Sequence, residues 1–250
     1  MKTLTHLMLL TGLVGAPLVA MAADSPHSIS FNVGATTDYI FRGISQSQHD
    51  PALSGGVDYS HASGLYAGAW LSTQKWVETA PTKTNSDFEL DLYGGYRGNV
   101  GDLGYDVGLI RYSYDGDQAL GAVTPNTTEA YVGASWKFLS LKYSHTISKY
   151  FVGWTGAGNP STRGSGYIEL NATHDLGDGW GLLGHVGHQK VKHVSNASYS
   201  DWKVGVTKDM GWGVFTLAYS DTDADGTGVY RWSGEDVSKG VLALSFSKSF

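Results

Sequence analysis

Residues 87–96 read Asp87-Phe88-Glu89-Leu90-Asp91-Leu92-Tyr93-Gly94-Gly95-Tyr96. A carboxylate stands at every second position from 87 to 91, with a large apolar group between. On a helix these acids would scatter around the axis and leave no apolar stripe. On a strand, successive side chains point to opposite faces. Asp87, Glu89 and Asp91 then share one face, and Phe88, Leu90, Leu92 and Tyr96 the other. The segment is a strand with one wet face and one oily face.

The same period of two recurs along the chain. It runs through Ile29, Phe31, Val33 and Ala35, then through Ala130, Val132, Ala134 and Trp136. It continues in Leu139, Leu141 and Tyr143; Ile168, Leu170 and Ala172; Trp202, Val204 and Val206; and Phe215, Leu217 and Tyr219. About twelve strands are expected, and their connections alternate in length. Tight turns fall at 61–64, 99–102, 137–138, 177–179 and 209–211. Long loops fall at 42–51, 74–86, 115–127, 148–165, 192–198 and 221–238. Even strand number and alternating loop length predict a single all-β antiparallel transmembrane barrel, with short periplasmic turns and long extracellular loops. In such a barrel the oily set faces lipid, so a mean hydropathy of −0.18 is no argument against a membrane.

The ends and the composition agree. Lys2, the apolar stretch from Leu7 to Ala20 and the small-x-small Ala20-Met21-Ala22 read as a secretion signal over 1–22, leaving a barrel over 23–250. The chain has 34 Gly, 15 Tyr, 8 Trp and no Cys. With no Cys, disulfides and thiolate chemistry are excluded. The acidic balance, −6 overall, argues against nucleic acid as a partner. Trp136, Trp180 and Trp212 lie by tight turns, and Trp70, Trp76, Trp154, Trp202 and Trp232 near long loops, as two interfacial girdles would require. Leu242, Leu244, Phe246 and Phe250 share one face of a last strand that should close on the first. Phe250 is also expected to be read by the outer-membrane assembly machinery. Lys248 stands where another apolar residue is expected and can snorkel to the interface.

The block Asp38-Tyr39-Ile40-Phe41-Arg42-Gly43-Ile44-Ser45-Gln46-Ser47 resembles the TorF family of Gcw_chp-type bacterial outer-membrane porins. Asp50-Pro51-Ala52, Gly64-Leu65-Tyr66-Ala67-Gly68 and Gly187-His188-Gln189 add to the likeness, which runs over nearly the whole mature chain. The resemblance implies a Gram-negative outer-membrane barrel with a pore role. It offers no catalytic residues and no cofactor.

If the apolar set faces lipid, Asp58, Asp87, Glu89, Asp91, Asp106, Glu129, Glu169 and Asp201 face the lumen with Arg97, Lys142 and Lys203. Such a wall favours cations. Alternatively these groups pair with one another and with Tyr93, Tyr131 and Tyr167 and plug a narrow bore. Tyr39, Phe41, Arg42, Gly43, Ser45 and Gln46 carry the family block. There Arg42 either lines the mouth and binds an anion, or pairs with a wall carboxylate while Gly43 only permits a bend. Asp221, Asp223 and Asp225 before Gly226 imitate the start of a calcium loop, but Trp232 occupies its twelfth position. A solvated acidic loop is the default there.

Enzyme motifs are weak. Gly179, Gly181 and Gly184 lack a following helix, and His185 and His188 fall on opposite strand faces. The expectation is passive diffusion of small hydrophilic solutes across the bacterial outer membrane, with mild cation preference. A surface binding or adhesion barrel using its loops is the alternative, and a barrel enzyme a more distant one.

Overall fold

The computed structural model describes residues 25–80, 82–156 and 158–250. The expected secretion signal lies outside them.

Twelve antiparallel strands close into one barrel. In chain order they are β1 (His27–Thr36), β2 (Ala52–His61), β3 (Leu65–Thr73), β4 (Phe88–Val100), β5 (Leu103–Tyr114) and β6 (Thr127–Trp136). They continue with β7 (Leu139–Thr146), β8 (Gly166–Gly177), β9 (Trp180–Lys190), β10 (Tyr199–Asp209), β11 (Val214–Thr222) and β12 (Val241–Ser249). Each pairs with its sequence neighbours, and β12 returns to β1 with Asn32 opposite Ser249 and Thr36 opposite Ser245. Phe250 adds a further rung, since its amide donates to Phe31 O and its carbonyl accepts from Phe31 N. No edge is left for lipid to desolvate.

The alternation read from the sequence is the alternation of the wall. Ile29 (63% exposed), Leu53, Leu92, Val132, Val186 and Leu242 all point outward. So large an apolar surface is a liability in water and the natural boundary with hydrocarbon. Lys248 extends over the Phe250 ring, its Nζ 4.8 Å from the centroid.

The girdle expectation holds for one end and fails for four of the five Trp at the other. Trp136, Trp180 and Trp212 are exposed beside the tight turns, and Trp202 is exposed near the loops. Trp70 and Trp76 instead are buried, and Trp154 and Trp232 pack into loop clusters. Trp70 shares the parity of Tyr66 and Ser72 on β3, so the pleat turns it into the lumen.

The six long loops are loop 1 (37–51), loop 2 (74–87), loop 3 (115–126), loop 4 (147–165), loop 5 (191–198) and loop 6 (223–240). They bury an apolar core of their own at the mouth. Ile44, Phe151, Val191, Ala197, Tyr230 and Val237 meet there from loops 1, 4, 5 and 6, against Tyr199 of β10. A second cluster joins Trp76 and Val77, from a four-residue helix in loop 2, to Ile110, Tyr112 and Tyr131 of the wall. The oil of this molecule thus lies outside at the waist and inside at the mouth.

Candidate functional site

The family block builds the centre of the site. Ile40–Phe41 pairs antiparallel with Ile44–Ser45, and Arg42 and Gly43 form the two-residue turn between them. Their φ angles of 49° and 79° are the positive pair that a type I′ hairpin turn demands. A side chain on Gly43 would lie 2.4 Å from Thr222 Cγ2 and 2.6 Å from Asp201 Cβ, so both the conformation and the space require Gly.

This hairpin folds inward and carries Arg42 across the lumen. Arg42 Nη2 donates to Glu129 Oε2 at 2.6 Å, and Nη1 donates to Glu129 Oε1 at 3.2 Å and to Gln189 Oε1 at 2.8 Å. The pair is almost wholly buried. The guanidinium carbon lies 4.4 Å from the Tyr167 ring centroid and 4.7 Å from that of Phe41. A bidentate fork with stacked rings is the arrangement that suits Arg rather than Lys. Of the two readings open at the sequence level, pairing with a wall carboxylate is the one observed.

The rest of loop 1 is fastened around this hairpin. Asp38 accepts from the Ser45 and Ser47 hydroxyls at 2.6 and 3.2 Å and meets His49 Nδ1 at 2.7 Å. His49 Nε2 lies 2.8 Å from the Asp236 carbonyl, and Ser45 N donates to Val237 O, which tie loop 1 to loop 6. Tyr39 OH reaches Glu89 Oε1 at 3.2 Å. Gln46 takes Lys75 and Trp76 amides on its carbonyl and so anchors loop 2.

The predicted lumen residues face inward with one exception. Glu89, Asp91, Glu129, Glu169 and Asp201 are buried, and Asp58, Arg97, Asp106, Lys142 and Lys203 are partly so. Asp87 stands just before β4 and is exposed at the rim; strand parity was extended one residue too far. Many of the wall groups serve one another. Tyr93 OH donates to Asp58 Oδ1 at 2.6 Å, and Tyr66 OH to Asp106 Oδ1 at 2.6 Å while also touching Tyr131 OH. Arg97 lies 4.9 Å from the Tyr66 ring centroid, and Lys142 4.5 Å from that of Tyr131. Tyr167 OH and His185 Nε2 both reach Asp201, and His185 Nδ1 lies 2.7 Å from Asn171 Oδ1. Glycines admit these tyrosines. A Cβ on Gly108 would meet Tyr131 OH, and one on Gly187 would meet Tyr167 OH.

A quieter arc completes the wall. Along β11, β12, β1 and β2 the inward residues include Thr216, Ala243, Ser245, Ser247, Ser28, Ser30, Gly34, Ser54 and Gly56, all partly exposed. The sequence reading passed over this arc because it followed charges. Its signal was present in the run of Ser at alternate positions in β1 and β12.

His185 faces the lumen and His188 the outside, as their spacing requires. His188 Nδ1 lies 3.1 Å from Ser200 Oγ on the outer wall, with no carboxylate on the ring among the described contacts. The carboxylates of Asp221, Asp223 and Asp225 accept from separate backbone amides, those of Thr222, Ser200 and Thr227. The Thr227 hydroxyl and the Gly228 and Thr227 amides hold the Asp225 carboxyl below its ordinary range. Among the described residues no group of three or more His, Asp or Glu could hold a metal.

A closed cylinder with an apolar belt, a polar lumen and an inward-folded loop defines an outer-membrane barrel of the porin type. The chain belongs to the Gcw_chp family, described as a bacterial protein of unknown function, which matches residues 20–250. No curated protein matches the sequence. Among solved structures, the KdgM porin is similar with a TM-score of 0.54 at 7% identity, covering 88% of this chain and 98% of that one. The KdgM porin in complex with disordered oligogalacturonate gives 0.53 at 9%, covering 89% and 98%. The NanC porin gives 0.51 at 12%, again covering 89% and 98%. At such identities the shared feature is the barrel fold.

Proposed function

We propose that this barrel is a passive pore for small hydrophilic solutes, with mild cation preference and a mouth constricted by the loop 1 hairpin. The observation that carries the reading is the lumen wall itself. One arc is short, hydroxylated and partly open to solvent, while the whole wall sets Asp58, Glu89, Asp91, Asp106, Glu129, Glu169 and Asp201 against Arg42, Arg97, Lys142 and Lys203. An acidic wall in a confined channel concentrates cations. Oligogalacturonate, recorded with KdgM, is a polyanion, and this wall opposes one; small neutral and cationic solutes fit it better. The outer-membrane assembly machinery, reading Phe250, remains the expected partner in biogenesis.

Planar-bilayer recording of the purified barrel should give discrete conductance steps, with a cation-selective reversal potential in a KCl gradient. Liposome swelling with sugars of graded size should give a sharp cut-off. An anion-selective potential would remove the cation preference. A silent barrel would favour a surface-binding role for the loops, which already share an apolar core. Hydrolysis of solubilised lipid or peptide by the purified barrel would move the reading to an enzyme.

A further inference from the structure

A second polar site lies outside the pore. His145 on β7, Gly166 on β8 and Lys190 on β9 stand in one row across three strands. Their parity is that of Tyr143, Ile168 and His188, so the row faces outward at the extracellular end. Arg163 from loop 4, with Lys192 and His193 from loop 5, flanks it and borders an open hollow of about 620 Å³. Glycines make the room. A Cβ on Gly164 would lie 3.6 Å from Lys192 Nζ and 3.8 Å from His145 Cε1, so those two side chains converge there.

The lining holds three permanent cations and two imidazoles, and no carboxylate. Among the described residues Arg163, Lys190 and Lys192 make no salt bridge. Three like charges gathered around one hollow repel one another, and an anion between them removes that cost. Directly below lie the row Tyr143–Ile168–His188 and then the apolar row Leu141–Leu170–Val186. With a rise of about 3.4 Å per residue, the cations sit on the order of 7 to 14 Å above hydrocarbon contacts. That vertical order, charge at headgroup level and oil beneath, is the order of a lipid.

We infer that this pocket holds the phosphorylated headgroup of an outer-leaflet glycolipid, with its acyl chains lying against the wall of β7 to β9. A solute within the pore cannot reach the row, because His145 and Lys190 stand on the outer face. The site therefore goes beyond the pore reading, and its test is a binding measurement indifferent to conductance.

Native mass spectrometry of the detergent-folded barrel should show bound lipid A carrying both phosphates. Binding should weaken about a hundredfold in Arg163→Gln/Lys190→Gln/Lys192→Gln, at on the order of fivefold per basic residue. The control Lys137→Gln/Lys208→Gln, at the opposite rim, should bind as the parent does. Heat-modifiable gel mobility reports folding of each variant. The parent barrel should also bind dephosphorylated lipid A far more weakly, an arm that requires no variant. Equal binding of the dephosphorylated lipid, or undiminished binding by the folded triple variant, overturns the proposal. So does full displacement of lipid A by inorganic phosphate at equal concentration, which would mark a site for the free ion.

Discussion

Along β11, β12, β1 and β2 the lumen is lined mostly by short side chains such as Ser30, Ser54, Thr216, Ser245 and Ser247, with the bonded pair Asn32 and Asp58 as the longer exceptions. From β4 to β10 it is lined by Glu89, Tyr93, Arg97, Glu129, Tyr131, Tyr167, His185 and Asp201; Tyr167, His185 and Asp201 bond to one another, while Glu89 bonds to Tyr39, Tyr93 to Asp58, Tyr131 to Tyr66 and Glu129 to Arg42. Both arcs are polar, but they do different work. The long side chains fill their arc and receive Arg42; the short ones reach less far into the lumen. Most buried polar groups of the crowded arc are partnered, as burial requires, while Glu89 Oε2 and Asp91 Oδ1 are buried there without a hydrogen-bond partner. The proposed pore would then run along the serine arc and be eccentric.

Removing the hairpin should have the largest effect on this contrast. Replacing residues 40–45 by a Gly-Ser linker should raise unit conductance several-fold; an unchanged conductance would show that loop 1 does not constrict the mouth. Next comes Arg42→Met, which leaves Glu129 buried without its counter-ion. Loss of one partner of a buried pair costs about 3–5 kcal/mol, to be read from urea unfolding in lipid vesicles. The double variant Arg42→Met/Glu129→Gln should regain much of that, and additive losses would refute the pairing argument. A smaller effect is expected from bulk. Ser247→Trp on the open arc should roughly halve conductance, while Lys142→Met on the crowded arc leaves it nearly unchanged; the reverse ranking would place the path on the other side. The smallest effect is electrostatic. Asp58→Asn, beside the serine arc, should move the reversal potential towards zero, while a variant of the same charge change at the rim, Asp87→Asn, should not.

Much of this was legible beforehand because a barrel wall obeys one local rule. The pleat alternates, so Asp87 to Tyr96 alone declared two faces, and the tight turns at 137–138 and 177–179 declared where the chain reverses. The rule fails where side chains answer to tertiary partners. Arg42 could not be assigned between mouth and wall, because Glu129 lies 87 residues away in sequence. Trp70 was read by proximity to a loop when its parity on β3 already placed it inside. The inward fold of loop 1 did leave a trace: Ile40-Phe41 and Ile44-Ser45 flank Arg42-Gly43 as a two-residue hairpin would. Phe151, Trp154, Tyr230 and Trp232 are likewise too apolar for solvated loops, which hinted at a core around the mouth.

That core beneath the loops gives the chain two separable stabilities. The cylinder is kept by hydrogen bonds that hydrocarbon protects from competition, whereas the cap is kept by the exclusion of water from Ile44, Phe151, Tyr230 and their neighbours. Chaotropes and proteases act from the aqueous side and should strip the crown while the staves stand, so the protein would lose its closure before it loses its shape.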